Sequence, residues 1–256
     1  MRLLSLSAYS HFVTARKPPP SNPSRVPIDL RRRADAKLLV SRIAADLFWR
    51  DGVAATRGED IALAAGISTR TLWRYFRSKE SCVEPVLAES GRRFMRLMHA
   101  WPLDVSLEEH LSRPMLAPLT DETSEQAADD VHAMRMIALG MSEPAIRSAW
   151  LMVCDAAEQE VAGVIAKRLG SSPDAPDVRQ IAAAVTGAVR FVNDEVSVAA
   201  TTGSREIVGE DVLAALGQAV RQASSGRLGD AIGPAQPVDP AEPTEPGSTP
   251  EKETTR

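Results

Sequence analysis

Ser68, Thr69, Arg70, Thr71, Trp73, Arg74 and Tyr75 crowd into about two helical turns. They are mostly donors and acceptors rather than acids or bases that titrate near neutral pH, a set suited to recognition more than to catalysis. At helical spacing Thr69, Arg70, Thr71 and Arg74 lie outside while Leu72, Tyr75 and Phe76 face inward. Arginine can donate to both acceptors of a guanine edge in the DNA major groove, and threonine can reach a base or a phosphate. A short, polar, cationic face of this kind fits a helix entering that groove.

Other chemistries find no support. No Gly-rich phosphate loop, nucleophile elbow or HExxH sequence occurs. His99, His110, His132 and Cys154 are too dispersed for a local metal motif. The sequence therefore predicts neither an enzyme nor a cofactor or metal. Cys82 and Cys154 sit in helical contexts without a pairing pattern, as buried thiols of a reducing compartment do.

The elements that must position the recognition face lie just before it. Ala34 to Arg50 is amphipathic, with Ala36, Val40, Ile43 and Leu47 on one stripe widened by Ala44 and Phe48, and Gly52 closes it. Thr56, with Glu59 three residues later, has the pattern of a capping box for a short helix carrying Ile61, Ala62 and Ala65. Gly66 ends that helix, because glycine accepts the left-handed terminator conformation. Ser68 is placed to cap the next helix. Together these make a helix-turn-helix within a three-helix unit; ordinary helical bundles also contain such pairs, and that reading stays open on this stretch alone. Beyond it, Ser78 can cap a further helix, and Pro85 falls where that helix must kink or restart.

The chain has 256 residues, of which 44% are hydrophobic and only 4% aromatic, enough for a sizeable core and a composition that favours helices over sheet. The expected fold class is all-α. The net charge of −4 hides an asymmetry: residues 1–81 carry 15 basic and 7 acidic side chains, against 15 and 27 in the remainder. A basic amino-terminal part suits a polyanion that the acidic remainder would repel. No apolar run reaches membrane-spanning length, so no membrane partner is expected and the predicted location is cytoplasmic. Serines break the apolar start of Met1 to Ser7, which does not read as a signal peptide. The proline-rich segment before residue 31 reads as disordered and ends in Arg31, Arg32 and Arg33. These form either an arm that lies along phosphates or a solvated charge run.

Residues 35–87 resemble the DNA-binding domain of the TetR family of bacterial transcriptional regulators. The resemblance rests on Leu47-Phe48 before Asp51-Gly52, then Thr56, Asp60-Ile61-Ala62, Ala64-Ala65-Gly66-Ile67-Ser68, Thr71-Leu72-Trp73-Arg74-Tyr75-Phe76 and Ser78-Lys79-Glu80. It implies that the helix from Thr69 to Phe76 reads DNA, that Trp73 touches phosphate, and that Lys79 binds the DNA backbone, with Thr56 among the phosphate contacts. The chain departs from the family pattern in four places. Thr69-Arg70-Thr71 stands where Lys-Gly-Thr is common, Trp73 replaces a tyrosine, Gly58 replaces an apolar residue, and Glu59 stands where a basic or neutral residue often faces DNA. Glu59 is expected to serve the cap, since it would repel phosphate.

The sequence divides into an extension (1–33), the helix-turn-helix domain (34–81), a helical effector-binding and dimerisation domain (82–225) and a disordered acidic tail (226–256). Helices are predicted near 82–99, 107–117, 124–140, 143–169, 176–201 and 209–223, with Ser142 capping the fourth. Met98, Trp101, Met115, Met134, Trp150, Met152 and Phe191 supply adaptable apolar side chains for a hydrophobic effector pocket. The resemblance further implies a homodimer built on the last two helices, where Val185, Val189, Val192, Leu213, Leu216 and Val220 are the candidates; a buried core helix is the other reading of that periodicity.

The function these readings predict is a sequence-specific DNA-binding regulator, a ligand-responsive repressor acting as a homodimer on a near-palindromic double-stranded operator. The alternative is a helical ligand-sensing or partner-binding protein without operator binding, for which Gly58 and Glu59 are the hints.

Overall fold

Helix ends in this chain are set locally, by caps and left-handed glycines, and the observed elements follow them closely. The structure, a computed structural model, describes residues 30–116, 125–204 and 209–232. In order these form α1 (Leu30–Asp51), α2 (Gly58–Ala64), α3 (Thr69–Tyr75), a 3-10 turn (Glu80–Val83), α4 (Glu84–His99), α5 (Leu107–Leu116), α6 (Glu125–Leu139), α7 (Pro144–Leu169), α8 (Pro176–Thr202) and α9 (Gly209–Ala223). Among the described residues all regular structure is helical, as composition predicts. The expectations for 1–29 and 233–256 lie outside the described residues.

Several local expectations are corrected. α1 begins at Leu30, so the backbone of Arg31, Arg32 and Arg33 is its first turn and not an extended arm. The N-cap of α2 is Arg57, one position later than expected, and Asp60 closes the cap by accepting from Arg57 N at 2.8 Å. Thr56 and Glu59 are thereby out of register for a capping box. The buried Thr56 hydroxyl donates to Gly52 O at 2.8 Å instead. Ser142 does not cap α7, whose N-cap is Glu143; the Ser142 hydroxyl donates back to Leu139 O. Ser78 does accept from Ser81 N, but it caps the 3-10 turn, and Pro85 restarts the chain as α4.

Two apolar cores hold the molecule, and they do not divide it where the sequence suggests. The first joins Val40, Ala44 and Phe48 of α1, Ile61 of α2 and Leu72 of α3 to Val86 and Leu87 of α4, Met136 of α6 and Ile146 to Cys154 of α7. The second joins the distal ends of α4 and α7 to α5, α8 and α9. The boundary between them crosses the middle of α4 and α7, so the reading head shares its core with the near half of the body. Burying these side chains supplies the main stabilisation, about 25 cal/mol per Å² of apolar surface.

The described chain does not end with α9. Leu228 is buried in the second core, Leu107 N donates to Gly229 O at 2.8 Å, and Ile232 N donates to Leu103 O at 2.6 Å. Arg168, 6% exposed, donates to the carbonyls of Pro102 and Asp230, both at 2.8 Å, with its guanidinium 3.4 Å from the Trp101 ring centroid. Residues 224–232 thus strap the corner between α4 and α5, where the sequence predicts the start of a disordered tail. Burial lowers the affinity of Arg168 for its proton, and the carbonyl dipoles and the ring face are what hold the cation there.

Candidate nucleic-acid interface and effector groove

The recognition face assembles as predicted because each cap works. Gly66 takes φ +65°, Ile67 N reaches back to Ala62 O at 3.0 Å, and the chain turns sharply from α2 into α3. Ser68 accepts from Thr71 N at 3.1 Å, and its hydroxyl lies 2.9 Å from the Thr71 hydroxyl, so both side chains are tied to the cap. Leu72 is buried under Phe48 and Ile61 in the common core, which leaves Arg70, Trp73 and Arg74 outside. Thr69, Thr71 and Tyr75 are half-buried. Arg74 stacks beside Tyr75, 5.2 Å from its ring centroid. Among the described residues Arg70 makes no hydrogen bond or ion pair, and Arg74 pairs with no carboxylate. Two cations left uncompensated on one short helix form a face complementary to phosphate and guanine.

Two residues assigned to phosphate are committed elsewhere. Lys79 Nζ donates to Val53 O at 2.6 Å and to Thr56 O at 2.8 Å, lashing the turn after α1 to the turn after α3. Thr56 is buried and its hydroxyl is used inside the head. Neither side chain is presented to a duplex. The positions of Arg31, Arg32 and Arg33 in the first turn of α1 are known, but their side chains lie outside the described residues.

Trp73 and Gly58, two of the departures from the family pattern, are in contact. A Cβ placed on Gly58 would lie 2.2 Å from Trp73 Cζ2 and 2.5 Å from Cη2, so the indole edge rests directly on the glycine. Trp73 stays 44% exposed. Glu59 is exposed, while Asp60 is held below the usual carboxylate range by the Arg57 side chain and backbone N–H.

Head and body are joined by charge as well as by core. Arg42 of α1 donates to both oxygens of Asp129 on α6, and Arg93 of α4 approaches the same carboxylate at 3.6 Å. Alongside, His132 Nε2 lies 2.9 Å from Asp46 Oδ1, and the Arg135 guanidinium lies 5.4 Å from the Trp49 ring centroid. Arg77, just after α3, pairs with Glu84 at the start of α4. The Asp129 carboxylate raises the proton affinity of Arg42, as expected for a bidentate pair.

The predicted pocket residues do not come together. Met98 and Trp101 are core, and the Trp101 indole donates to Val105 O. Trp150 donates to Asp194 Oδ1 at 3.0 Å beside Arg147, which meets both oxygens of that buried carboxylate at 2.8 Å. Met134 is half-buried on α6, Phe191 is 62% exposed on α8, and the Met115 side chain lies outside the described residues. Only Met152 borders the described cavity, a groove of about 260 Å³ between α4 and α7. Met95, Ala149, Val153, Ala156 and Ala157 form its apolar walls, and Arg77, Glu84, Arg92 and Glu160 its charged rim. The sequence signal for it was a run of small residues, Ala88 with Gly91 on α4 and Ala156 with Ala157 on α7, which leaves space between two helices. Among the described residues no cluster of His, Cys, Asp and Glu could hold a metal.

The six predicted dimer residues are also corrected. Val185, Val192, Leu213, Leu216 and Val220 are buried, and Val189 packs against the same core, within one chain. Their apolar area is consumed by α5, α7, α8 and α9 themselves and is not free for a second copy.

A three-helix head with an uncompensated cationic recognition helix, set on a helical body, defines a helix-turn-helix DNA-binding transcriptional regulator. The comparisons agree: the profile of bacterial regulatory proteins of the tetR family matches residues 42–86, and that of the MftR C-terminal domain matches residues 117–226, more than half of the chain between them. The chain belongs to the TetR family, whose members are transcription factors rather than enzymes. Similar solved structures include a TetR-family regulator from Rhodococcus sp., at 20% identity and TM-score 0.50 over 75% of this chain and 99% of that one. A TetR-family regulator from Mesorhizobium loti MAFF303099 is 19% identical with TM-score 0.49, over 76% and 97%. GusR of Salmonella enterica is 20% identical with TM-score 0.47, over 75% and 96%. Likeness at this identity concerns the fold alone. No curated protein matches the chain. Among the described residues no helix is long and apolar enough to cross a membrane.

Proposed function

We propose that this regulator is a repressor that binds a near-palindromic operator as a homodimer and releases it when a small apolar effector enters the groove between α4 and α7. The observation that carries the DNA half of this reading is the pair of exposed, uncompensated arginines on α3, Arg70 and Arg74. The groove supports the effector half. It lies at the seam of the two cores, where separating α4 from α7 disturbs packing least, and α4 is continuous with the 3-10 turn that follows the recognition helix. An effector wedged there shifts the near end of α4 and the head with it. Two heads of a dimer then no longer match grooves about 34–36 Å apart.

The homodimer surface is drawn from what α8 and α9 leave outside. Ala183, Ala184, Gly187 and Ala188 form a low face on which Phe191 projects, and Ala214 and Ala215 continue it on α9. Small residues let a second pair of helices approach closely, and Phe191 supplies a large apolar anchor.

Selection of bound duplexes from a random pool by the purified protein tests the reading. A two-fold-related motif, bound with a steep salt dependence, is the expected result. Weak binding indifferent to sequence would overturn it.

A further inference from the structure

Gly58 is buried although it is the first residue of a seven-residue helix at the surface of the head, and what covers it is the Trp73 indole. The contact leaves no room for a side chain: the Cβ positions of 2.2, 2.5 and 3.4 Å from Cζ2, Cη2 and Cε2 all involve the same ring edge. The opposite side of the indole is open to solvent, and among the described residues no group accepts a hydrogen bond from its N–H. Trp73 neighbours Arg74 and follows Arg70 by three positions on the recognition helix, so the N–H sits on the edge of the DNA-facing surface. An indole N–H donates only, and a phosphate oxygen is the acceptor a duplex offers there.

We infer that Gly58 is a positioning residue for DNA binding: by having no side chain it seats the Trp73 ring against α2 and holds the indole N–H where it meets a phosphate. This rests on the DNA-binding reading above. A methyl group at position 58 must drive the ring outward, because Trp73 rotamers are few on a helix and the inward ones are blocked. The outward path is open, so the head accommodates the change. Alanine is also a better helix former than glycine, which offsets the lost ring packing. The effect therefore falls on DNA affinity and hardly on folding. Since the contact is to the backbone, it weakens all sequences alike.

The test compares the full chain with Gly58→Ala, Trp73→Tyr and the double variant, using the duplex that the wild-type protein selects from a random pool. The smaller phenol has no fused ring to collide with a Cβ. Gly58→Ala is expected to weaken binding about tenfold or more with Trp73 present, yet less than about threefold in the Trp73→Tyr background, with base preference unchanged in each. Equal losses in both backgrounds, or no loss, overturn the inference. Should Gly58→Ala fail to fold, recovery of folding and binding by the double variant upholds the seat, and failure of the double variant overturns it. Should the wild type select no duplex, the regulator reading fails, and the seat is judged without DNA. The Trp73 emission, isolated by difference against Trp73→Phe, must become more accessible to acrylamide in Gly58→Ala; unchanged accessibility overturns the seat.

Discussion

Arg42 and Asp129, 87 positions apart in the chain, meet face to face across the junction of head and body, with Nε and Nη2 of the arginine 2.6 and 2.9 Å from the two carboxylate oxygens. Asp129 is only 3% exposed, and Arg93 comes in from α4 on its other side. One carboxylate thus ties α6 to both α1, which carries the head, and α4, which borders the effector groove. The pair's geometry makes these three helices a unit rather than a row of separate rods.

Asp129→Ala leaves two guanidinium groups facing each other over a buried position. Removing one partner of a buried pair costs about 3–5 kcal/mol, and partial exposure of Arg42 places the expected loss near the lower end. Urea unfolding checks it; a loss below about 1 kcal/mol would mean that the junction is held by the shared apolar core alone.

Lys79→Met separates a structural from a DNA-contacting lysine. With Val53 O and Thr56 O left without their donor, stability is expected to fall by about 1–3 kcal/mol. The slope of DNA affinity against salt should stay as in the wild type. A slope reduced by about one would instead assign this ammonium to a phosphate.

Ala156→Trp fills the groove from α7 with a side chain directed between the helices. The fluorescent probe 8-anilinonaphthalene-1-sulfonate should bind the full chain and bind this variant at least about fivefold more weakly, while duplex binding persists. Equal probe binding would locate the apolar site elsewhere.

Burial raises the Cys82 thiol to about 12 and the Cys154 thiol to about 11. Both should be inert to iodoacetamide at pH 8 until the chain unfolds. The folded state keeps these protons while an unfolded thiol loses its own near about 8.5. The stability contribution is therefore complete below that value and drains away as pH rises toward 11 and 12. Urea midpoints should fall between pH 8 and 10.5, and fall less in Cys82→Ala; an equal decline would show that other groups govern it.

A chain ending at Gly226 lacks Leu228, the Gly229 and Asp230 carbonyls and the Asp230 partner of Arg221. Burying a leucine contributes about 1.5–3 kcal/mol, so a lower melting temperature is expected than for a chain ending at Ile232. Identical melting would make the strap dispensable for the fold.

The sequence by itself determined the helices, the recognition face and the sharp turn at Gly66, because periodicity, the Ser68 cap and left-handed glycines act within a few residues. Where a local signal slipped, as with Thr56 and Glu59 against Arg57 and Asp60, the start of a helix moved by one position and the donors changed hands. Only the tertiary structure decided what each apolar or charged side chain meets. Periodicity marks Val185 and Leu216 as covered without saying whether their own chain or a second copy covers them, and the answer is their own. Methionine and tryptophan are equally at home in a core and in a pocket, so Met98 and Trp101 went to the core while Met152 stayed at the groove. Lys79 found carbonyls 26 and 23 residues back, and Trp73 found Gly58, through a fold that brings distant turns together. A side chain's type limits the bonds it can make; which partner lies within about 3 Å is fixed only when the helices have packed.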